Sequence, residues 1–104
     1  MNKKESTKTT IRVTVEGIEK RFRRISSSER AVALAKFFKS QKGGYGYPDY
    51  FLGVTVPQTR DVAKEYHDIS LSSAFLLLKS RYHEVRLCAL FIIEHMFRLG
   101  REER

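Results

Sequence analysis

Three histidines and one cysteine are the residues of this 104-residue chain whose chemistry suits metal binding or nucleophilic attack. His67, His83 and His95 show neither the His-x-x-x-His nor the His-x-x-Glu-His spacing of a zinc site, and Cys88 alone cannot complete one. No Gly-x-Ser-x-Gly elbow presents a serine nucleophile. The sequence therefore predicts no catalytic residue, no metal site and no bound cofactor in this chain. The histidines are interpreted as surface or helix-terminal side chains.

The stretch from Lys39 to Tyr50, with the sequence KSQKGGYGYPDY, has the composition of a nucleic-acid contact. Lys39 and Lys42 could contact phosphates, the glycines allow close backbone approach, and the tyrosines could stack on bases. It lacks the Gly-Lys-Ser/Thr ending of a nucleotide-binding loop. The alternative is a turn whose tyrosines cover the core beside Phe51. Both interpretations remain open at the level of sequence.

The chain carries 20 Lys and Arg against 12 Asp and Glu, a formal net charge of +8. Clustered basic residues release counterions from phosphates, so this excess suits a polyanion partner. A solvated surface without such a partner is the alternative. Residues 1–30 hold nine Lys and Arg against four acidic residues, so much of the excess lies in the first part of the chain.

The expected location follows from what the sequence lacks. Residues 1–10 are polar, without the apolar core of a signal peptide, and no run reaches the roughly 18 apolar residues of a membrane span. The single Cys88 cannot form an internal disulfide, which fits a reducing compartment, and its apolar surroundings favour a buried side chain over a reactive thiol. We expect a cytoplasmic protein with no membrane partner.

Apolar periodicity predicts five helices and no convincing sheet. After a flexible tail at 1–10, a stripe runs from Ile11 to Ile25, although its first residues alternate in a way that also permits a short strand. Thr55 and Gln58 form a capping box around Pro57, Ser70 caps the next helix, and Gly100 should end the last one. The helices after the first are predicted at 29–38, 56–67, 71–78 and 83–99.

Each predicted helix has an apolar face that should point into one core. On the second helix this face consists of Ala31, Leu34, Ala35 and Phe38, and on the third of Val62, Ala63 and Tyr66. The fourth contributes Leu71, Ala74, Phe75 and Leu78, and the fifth Val85, Cys88, Ala89, Ile92, Met96 and Leu99.

The fifth helix is apolar on a second face as well. Leu87, Leu90, Phe91 and Phe97 lie outside its core stripe, and a helix that is apolar on two faces is normally covered on both. The cover is either a following helical repeat or a second copy of the chain. The sequence therefore predicts a self-association surface at these four residues, unless the chain is the front end of a longer solenoid.

Two segments carry a family resemblance, which extends from about Ser26 to about Arg98. The segment Tyr50–Arg60 (YFLGVTVPQTR) and the segment His83–Leu90 (HEVRLCAL) resemble the opening of AlkD-like DNA alkylation repair proteins. The second segment also contains a Val-Arg-x-x-Ala pattern similar to the HEAT signature. The resemblance implies an all-α superhelix of HEAT-like repeats, with residues 11–104 as one domain and the N-terminal part of a longer solenoid.

The same resemblance implies a DNA partner but brings no catalytic residue with it. Proteins of this family hold duplex DNA on a concave basic face and excise alkylated bases with an aspartate near tryptophans in the middle repeats. This chain has no tryptophan, and no aspartate follows Asp68. Arg86 has a second interpretation, as the HEAT arginine that ties neighbouring repeats together, and Asp61 and Glu65 are expected on a solvated face. The predicted DNA-contacting residues are Lys39, Lys42, Arg60, Lys64, Arg81 and Arg86.

Two hypotheses therefore follow from the sequence. In the first, the chain is the N-terminal HEAT-like portion of a DNA alkylation repair protein, inactive alone and binding duplex DNA weakly and without sequence preference. In the second, it is a non-catalytic helical module that binds a protein partner or forms a homodimer.

Overall fold

The computed structural model describes residues 3–39 and 50–102, which form five helices with no strand among them. The helices are α1 (Lys3–Ile25), α2 (Ser28–Lys39), α3 (Val56–Glu65), α4 (Leu71–Leu77) and α5 (His83–Glu102). This arrangement confirms the predicted all-α helical repeat fold with five helices. Lys42 and the other residues between α2 and Tyr50 lie outside the described residues.

Helix α1 is longer than the sequence pattern indicates. It begins at Lys3, inside the segment assigned to a tail, and it is helical through residues 11–15, so the strand alternative is wrong. The predicted stripe is correct from Val15 onward, because Ile18 and Phe22 are fully buried and Val15 and Ile25 pack against the same core.

The core lies among four of the helices. Helix α3 packs along α5, α4 packs on α5, and α1 crosses both α3 and α4. Cys88 and Ala89 of α5 are completely buried in this core, and Val62 and Ala63 reach it from α3 as predicted. The small side chains of Ala63, Cys88 and Ala89 let the helix backbones approach closely.

The faces of α4 and α2 differ from the prediction. In α4, Leu71 and Phe75 are exposed, whereas Ser73, Ala74 and Leu77 are buried. The predicted cap is correct, because the Ser70 hydroxyl accepts from the backbone N–H of Ser73 at 3.1 Å. The Ser70 hydroxyl also donates to the Ser73 hydroxyl at 2.9 Å. The buried Ser73 side chain therefore has a hydrogen-bond partner.

Helix α2 lies at the edge of the molecule and contains no buried residue. Its predicted inward face is only half-buried at Ala31, Leu34 and Phe38, and Ala35 is exposed. Hydropathy alone predicts that this face of α2 is buried in the core. In the structure, however, side chains of α1, α3, α4 and α5 already fill the core.

The end of α5 is also corrected. The helix continues through Gly100 to Glu102, so this glycine does not end it. A glycine inside a helix costs only about 1 kcal/mol relative to alanine, which the rest of a long helix can offset. Leu99, predicted in the core stripe, is 43% exposed because no other described element covers this end of α5.

The start of α3 follows the sequence prediction in detail. The Thr55 hydroxyl accepts from the Gln58 backbone N–H at 3.2 Å, and the Gln58 side-chain oxygen accepts from the Thr55 backbone N–H at 2.9 Å. Pro57 lies in the first turn, where its missing N–H has no intrahelical acceptor to lose. The predicted capping box is therefore confirmed.

An ion pair joins α1 to α3. Arg21 Nε and Nη2 donate to the two carboxylate oxygens of Glu65, each at 3.0 Å. The hydrogen bond from Arg21 lowers the pKa of Glu65. The pair therefore contributes stability above the ordinary glutamate pKa and loses it as pH falls through the lowered one. Glu65 is exposed, as the predicted solvated face requires, and its ion pair with Arg21 lies on that exposed surface.

A buried carboxylate holds the segment that leads into α3. Glu84, 2% exposed near the start of α5, accepts hydrogen bonds from three consecutive backbone N–H groups. Its oxygens lie 3.0 Å from the Leu52 nitrogen, 2.8 Å from the Gly53 nitrogen and 3.1 Å from the Val54 nitrogen. The His83 N–H also donates to the Tyr50 carbonyl oxygen at 2.9 Å. This segment is therefore fixed to the N-terminus of α5.

Gly53 makes the same segment contact α2. Its φ is +78°, and a Cβ built on it would lie 2.0 Å from the Ser27 carbonyl oxygen and 2.8 Å from the Ala31 nitrogen. The Ser27 N–H donates to the Leu52 carbonyl oxygen at 2.9 Å. Backbone therefore packs directly on backbone here, and only glycine permits both the dihedral angle and the approach.

We expect Gly53→Ala to lower the free energy of unfolding by more than about 2 kcal/mol, because it adds left-handed strain to a backbone clash. Gly17→Ala is the matched control, since no atom lies within 4 Å of a Cβ built there and the site is inside α1. That change should instead stabilise by up to about 1 kcal/mol. Denaturant titration followed by circular dichroism measures both. A Gly53→Ala protein as stable as the wild type would contradict this account of the contact.

Candidate nucleic-acid interface

A groove of about 470 Å³ runs between α3 and α5, and two of the predicted DNA-contacting residues, Arg60 and Lys64, line it. The sequence did not single out the others as binding residues. The remaining lining residues are Ala63, His67, Phe91, Glu94, His95 and Arg98.

Helix periodicity explains how the groove is built. Arg60, Lys64 and His67 follow one another at i, i+4 and i+7 along α3 and the turn after it, so they share one side. Phe91, His95 and Arg98 repeat the same spacing on α5. Because α3 and α5 pack side by side, the two rows face one another across the groove. The matching spacing is visible in the sequence, but the pairing of these two helices is not.

Phe91 supports one of the basic side chains. The guanidinium carbon of Arg60 lies 4.8 Å from the centre of the Phe91 ring, a cation–π contact. Phe91 itself is half-buried and packs against the core. One of the four residues predicted for self-association therefore also forms the wall of the basic groove.

The groove has an excess of positive charge. Arg60, Lys64 and Arg98 line it against one carboxylate, Glu94, which forms an ion pair with Arg98 one helical turn further along α5. The groove is open to solvent and its cations are side by side, so an extended anion can meet several of them at once.

Two imidazoles face each other in the same groove. The rings of His67 and His95 are nearly perpendicular, with centres 5.7 Å apart. His67 Nδ1 lies 2.9 Å from the Lys64 carbonyl oxygen in the last turn of α3. The sequence predicts surface or helix-terminal positions for both histidines, and this prediction is correct for His67.

Of the other predicted DNA-contacting residues, the three that the structure describes do not line this groove. Arg81 lies in the α4–α5 turn, 5.8 Å from the ring centres of Tyr50 and Tyr82. Arg86 donates to the Ser80 carbonyl oxygen at 2.8 Å, a contact inside the α4–α5 hairpin. Lys39 is the last residue of α2, and Lys42 lies outside the described residues.

Of the tyrosines in the 39–50 stretch, the structure describes Tyr50, which is 50% exposed, whereas Phe51 after it packs in an aromatic cluster. Phe51 stacks on Phe38 with ring centres 5.1 Å apart, and His83 lies 5.2 Å from Phe51. This cluster joins α2 to the N-terminus of α5. Tyr45 and Tyr47 lie outside the described residues, so neither interpretation of these two tyrosines is tested.

Two residues of the second apolar face of α5, Leu90 and Phe97, are directed to solvent. Leu90 is 54% exposed and Phe97 is 66% exposed, and they lie seven residues apart on one side of the helix. Leu87 is half-buried. Leu90 and Phe97 therefore belong to a surface separate from the half-buried Phe91.

Within the described ranges, no group of three or more His, Cys, Asp or Glu side chains could hold a metal ion. Cys88 is buried, as predicted, and the loss of solvation raises the pKa of its thiol to about 12. The thiol is therefore protonated at neutral pH and unsuited to nucleophilic attack. No helix in the part of the chain that the structure describes is long and apolar enough to cross a membrane.

The fold and the groove together define an all-helical repeat protein with a basic surface between two neighbouring helices. A family model described as DNA alkylation repair enzyme matches residues 18–104, most of the chain. The chain therefore belongs to the DNA alkylation repair enzyme family, as the segments at 50–60 and 83–90 predicted. Neither the curated proteins nor the solved structures include a significant match to it.

Proposed function

We propose that this chain is the N-terminal HEAT-like portion of a DNA alkylation repair protein and that it binds duplex DNA through the α3–α5 groove. The observation that carries the proposal is the pair of facing rows that bring Arg60, Lys64 and Arg98 into one groove. Family membership supports the identity of the polyanion.

The chemistry of the groove favours backbone phosphates over base edges. Lysine and arginine neutralise phosphates and release their counterions, which gives affinity without sequence preference. Arg60 lies over the Phe91 ring, and this contact already restricts the conformations of its guanidinium. Less conformational entropy is therefore lost when the guanidinium binds a phosphate. Because few cations line the groove, the affinity is weak and falls as salt is added.

The proposal assigns binding, not excision, to these residues. Cleavage of a glycosidic bond needs a charged group placed at the reacting sugar. Among the described residues, Glu94 is the carboxylate that lines the groove, and it is paired with Arg98. The family's aspartate and tryptophans have no counterparts in this sequence. We therefore expect this chain alone to bind DNA without releasing a base.

We expect Lys64→Ala to weaken binding to a labelled undamaged duplex and to reduce the slope of log affinity against log salt by about one. Lys36→Ala removes the same charge from the exposed surface of α2, away from the groove, and should change both quantities much less. Fluorescence anisotropy over a series of salt concentrations measures them. Equal effects of the two changes would show that net charge, rather than the groove, accounts for binding.

We expect no release of N3- or N7-alkylated purines when the purified chain is incubated with alkylated duplex DNA. The reason is that the aspartate and tryptophans implied by the family resemblance have no counterparts in this sequence. Chromatography of the released bases provides the measurement, with a heat-treated sample as the control for spontaneous loss. Release above that control, by protein free of other glycosylases, would contradict the assignment.

The exposure of Leu90 and Phe97 favours a second candidate function, self-association through α5 as a homodimer. We expect Leu90→Glu combined with Phe97→Glu to shift the chain toward monomer while its helicity is kept, because both side chains are largely in solvent. Phe75→Glu, at an exposed position on α4, is the control. Sedimentation with circular dichroism tests this, and a wild-type chain that is monomeric at high concentration would rule the dimer out.

A further inference from the structure

The His67–His95 pair differs from the lysine and arginine side chains of the groove in how it can form hydrogen bonds. A carbonyl oxygen can only accept, so His67 Nδ1 carries the proton in its 2.9 Å contact with the Lys64 carbonyl oxygen. The neutral His67 ring therefore has no proton on Nε2 and cannot donate from that atom. Protonation gives the ring a second N–H and a positive charge together.

The charged residues around the pair come from α3 and α5. From α3, Arg60 and Lys64 line the groove, and from α5, Glu94 and Arg98 do. Asp68, next to His67 in the turn, is exposed and is not one of the lining residues. None of the described residues that line the groove comes from α1, α2 or α4.

The two imidazole rings, with centres 5.7 Å apart, lie among the described cations Arg60, Lys64 and Arg98 and the carboxylate of Glu94. A phosphate placed between the rows adds negative charge beside both rings. It attracts the protonated rings, and its oxygens accept the hydrogen bonds that those rings can donate.

We propose that His67 and His95 form a proton-dependent phosphate-binding pair, so that binding of DNA phosphates in this groove is accompanied by proton uptake. The inference rests on the proposed DNA-binding function and adds two binding residues and a regulation by pH. Arginine and lysine side chains are ordinarily charged between pH 6 and 8, so the affinity that such cations supply does not depend on pH over this range. The histidine pair adds an increment that is present toward pH 6 and lost toward pH 8.

Fluorescence anisotropy with an undamaged duplex, at constant ionic strength, tests the proposal. We expect wild-type affinity to rise by about three- to ten-fold from about pH 8 to about pH 6. His67→Gln combined with His95→Gln should remove most of the rise. His83→Gln is the matched control, because His83 lies with Phe38 and Phe51 outside the groove, and it should keep the rise.

Calorimetry of the wild type gives a readout that does not depend on how the variants fold. The binding enthalpy, measured near neutral pH in buffers with different ionisation heats, reports the number of protons taken up. Uptake on adding duplex DNA is expected. Uptake with inorganic phosphate but not with DNA would assign the pair to a free anion and overturn the DNA assignment.

The outcomes separate the two levels of the proposal. Binding that is independent of pH and takes up no proton would overturn the histidine pair and leave the DNA-binding function standing. A rise in affinity that persists in the double variant would also overturn it. No binding to duplex DNA at either pH would overturn the function itself, and the inference with it.

Discussion

The carboxylate of Glu84 is the contact on which the rest of the arrangement depends. It is almost fully buried, and a buried charge is costly unless hydrogen bonds compensate for its lost hydration. Three successive N–H groups, from Leu52 to Val54, provide that compensation and form a concave anion site of the kind that successive amides make in turns. The two segments that carry the family resemblance, 50–60 and 83–90, are thus the two sides of one contact.

This contact determines where α2 and α3 begin relative to α5. The 52–54 segment that Glu84 holds also packs on Ser27 and Ala31 through Gly53, and it leads directly into the Thr55 cap of α3. The position of α3 along α5 then decides which of their outer side chains meet. The groove that contains Arg60, Lys64 and Arg98 therefore depends on the hydrogen bonds between Glu84 and the 52–54 backbone, which lie outside it.

Sequence reasoning succeeded where the interaction is local or the periodic signal is long. The Thr55–Gln58 capping box and the Ser70 cap involve residues three apart, so composition and spacing are enough to predict them. It failed on α4, which has only seven residues and too few turns for hydropathy to identify the buried side. It also failed at Leu99, where exposure depends on whether another element reaches that end of α5.

The sequence by itself determined the family, the all-helical class, the starts of α3, α4 and α5 and the excess of basic residues. Each depends on residue type or on contacts within about one helical turn. Tertiary structure decided that Glu84 binds amides 30 or more residues away, and that His67 and His95 share a groove with the cations of α3 and α5. The reason is physical: helix periodicity determines which side chains share a face, but only the packing of α3 against α5 determines which two faces meet.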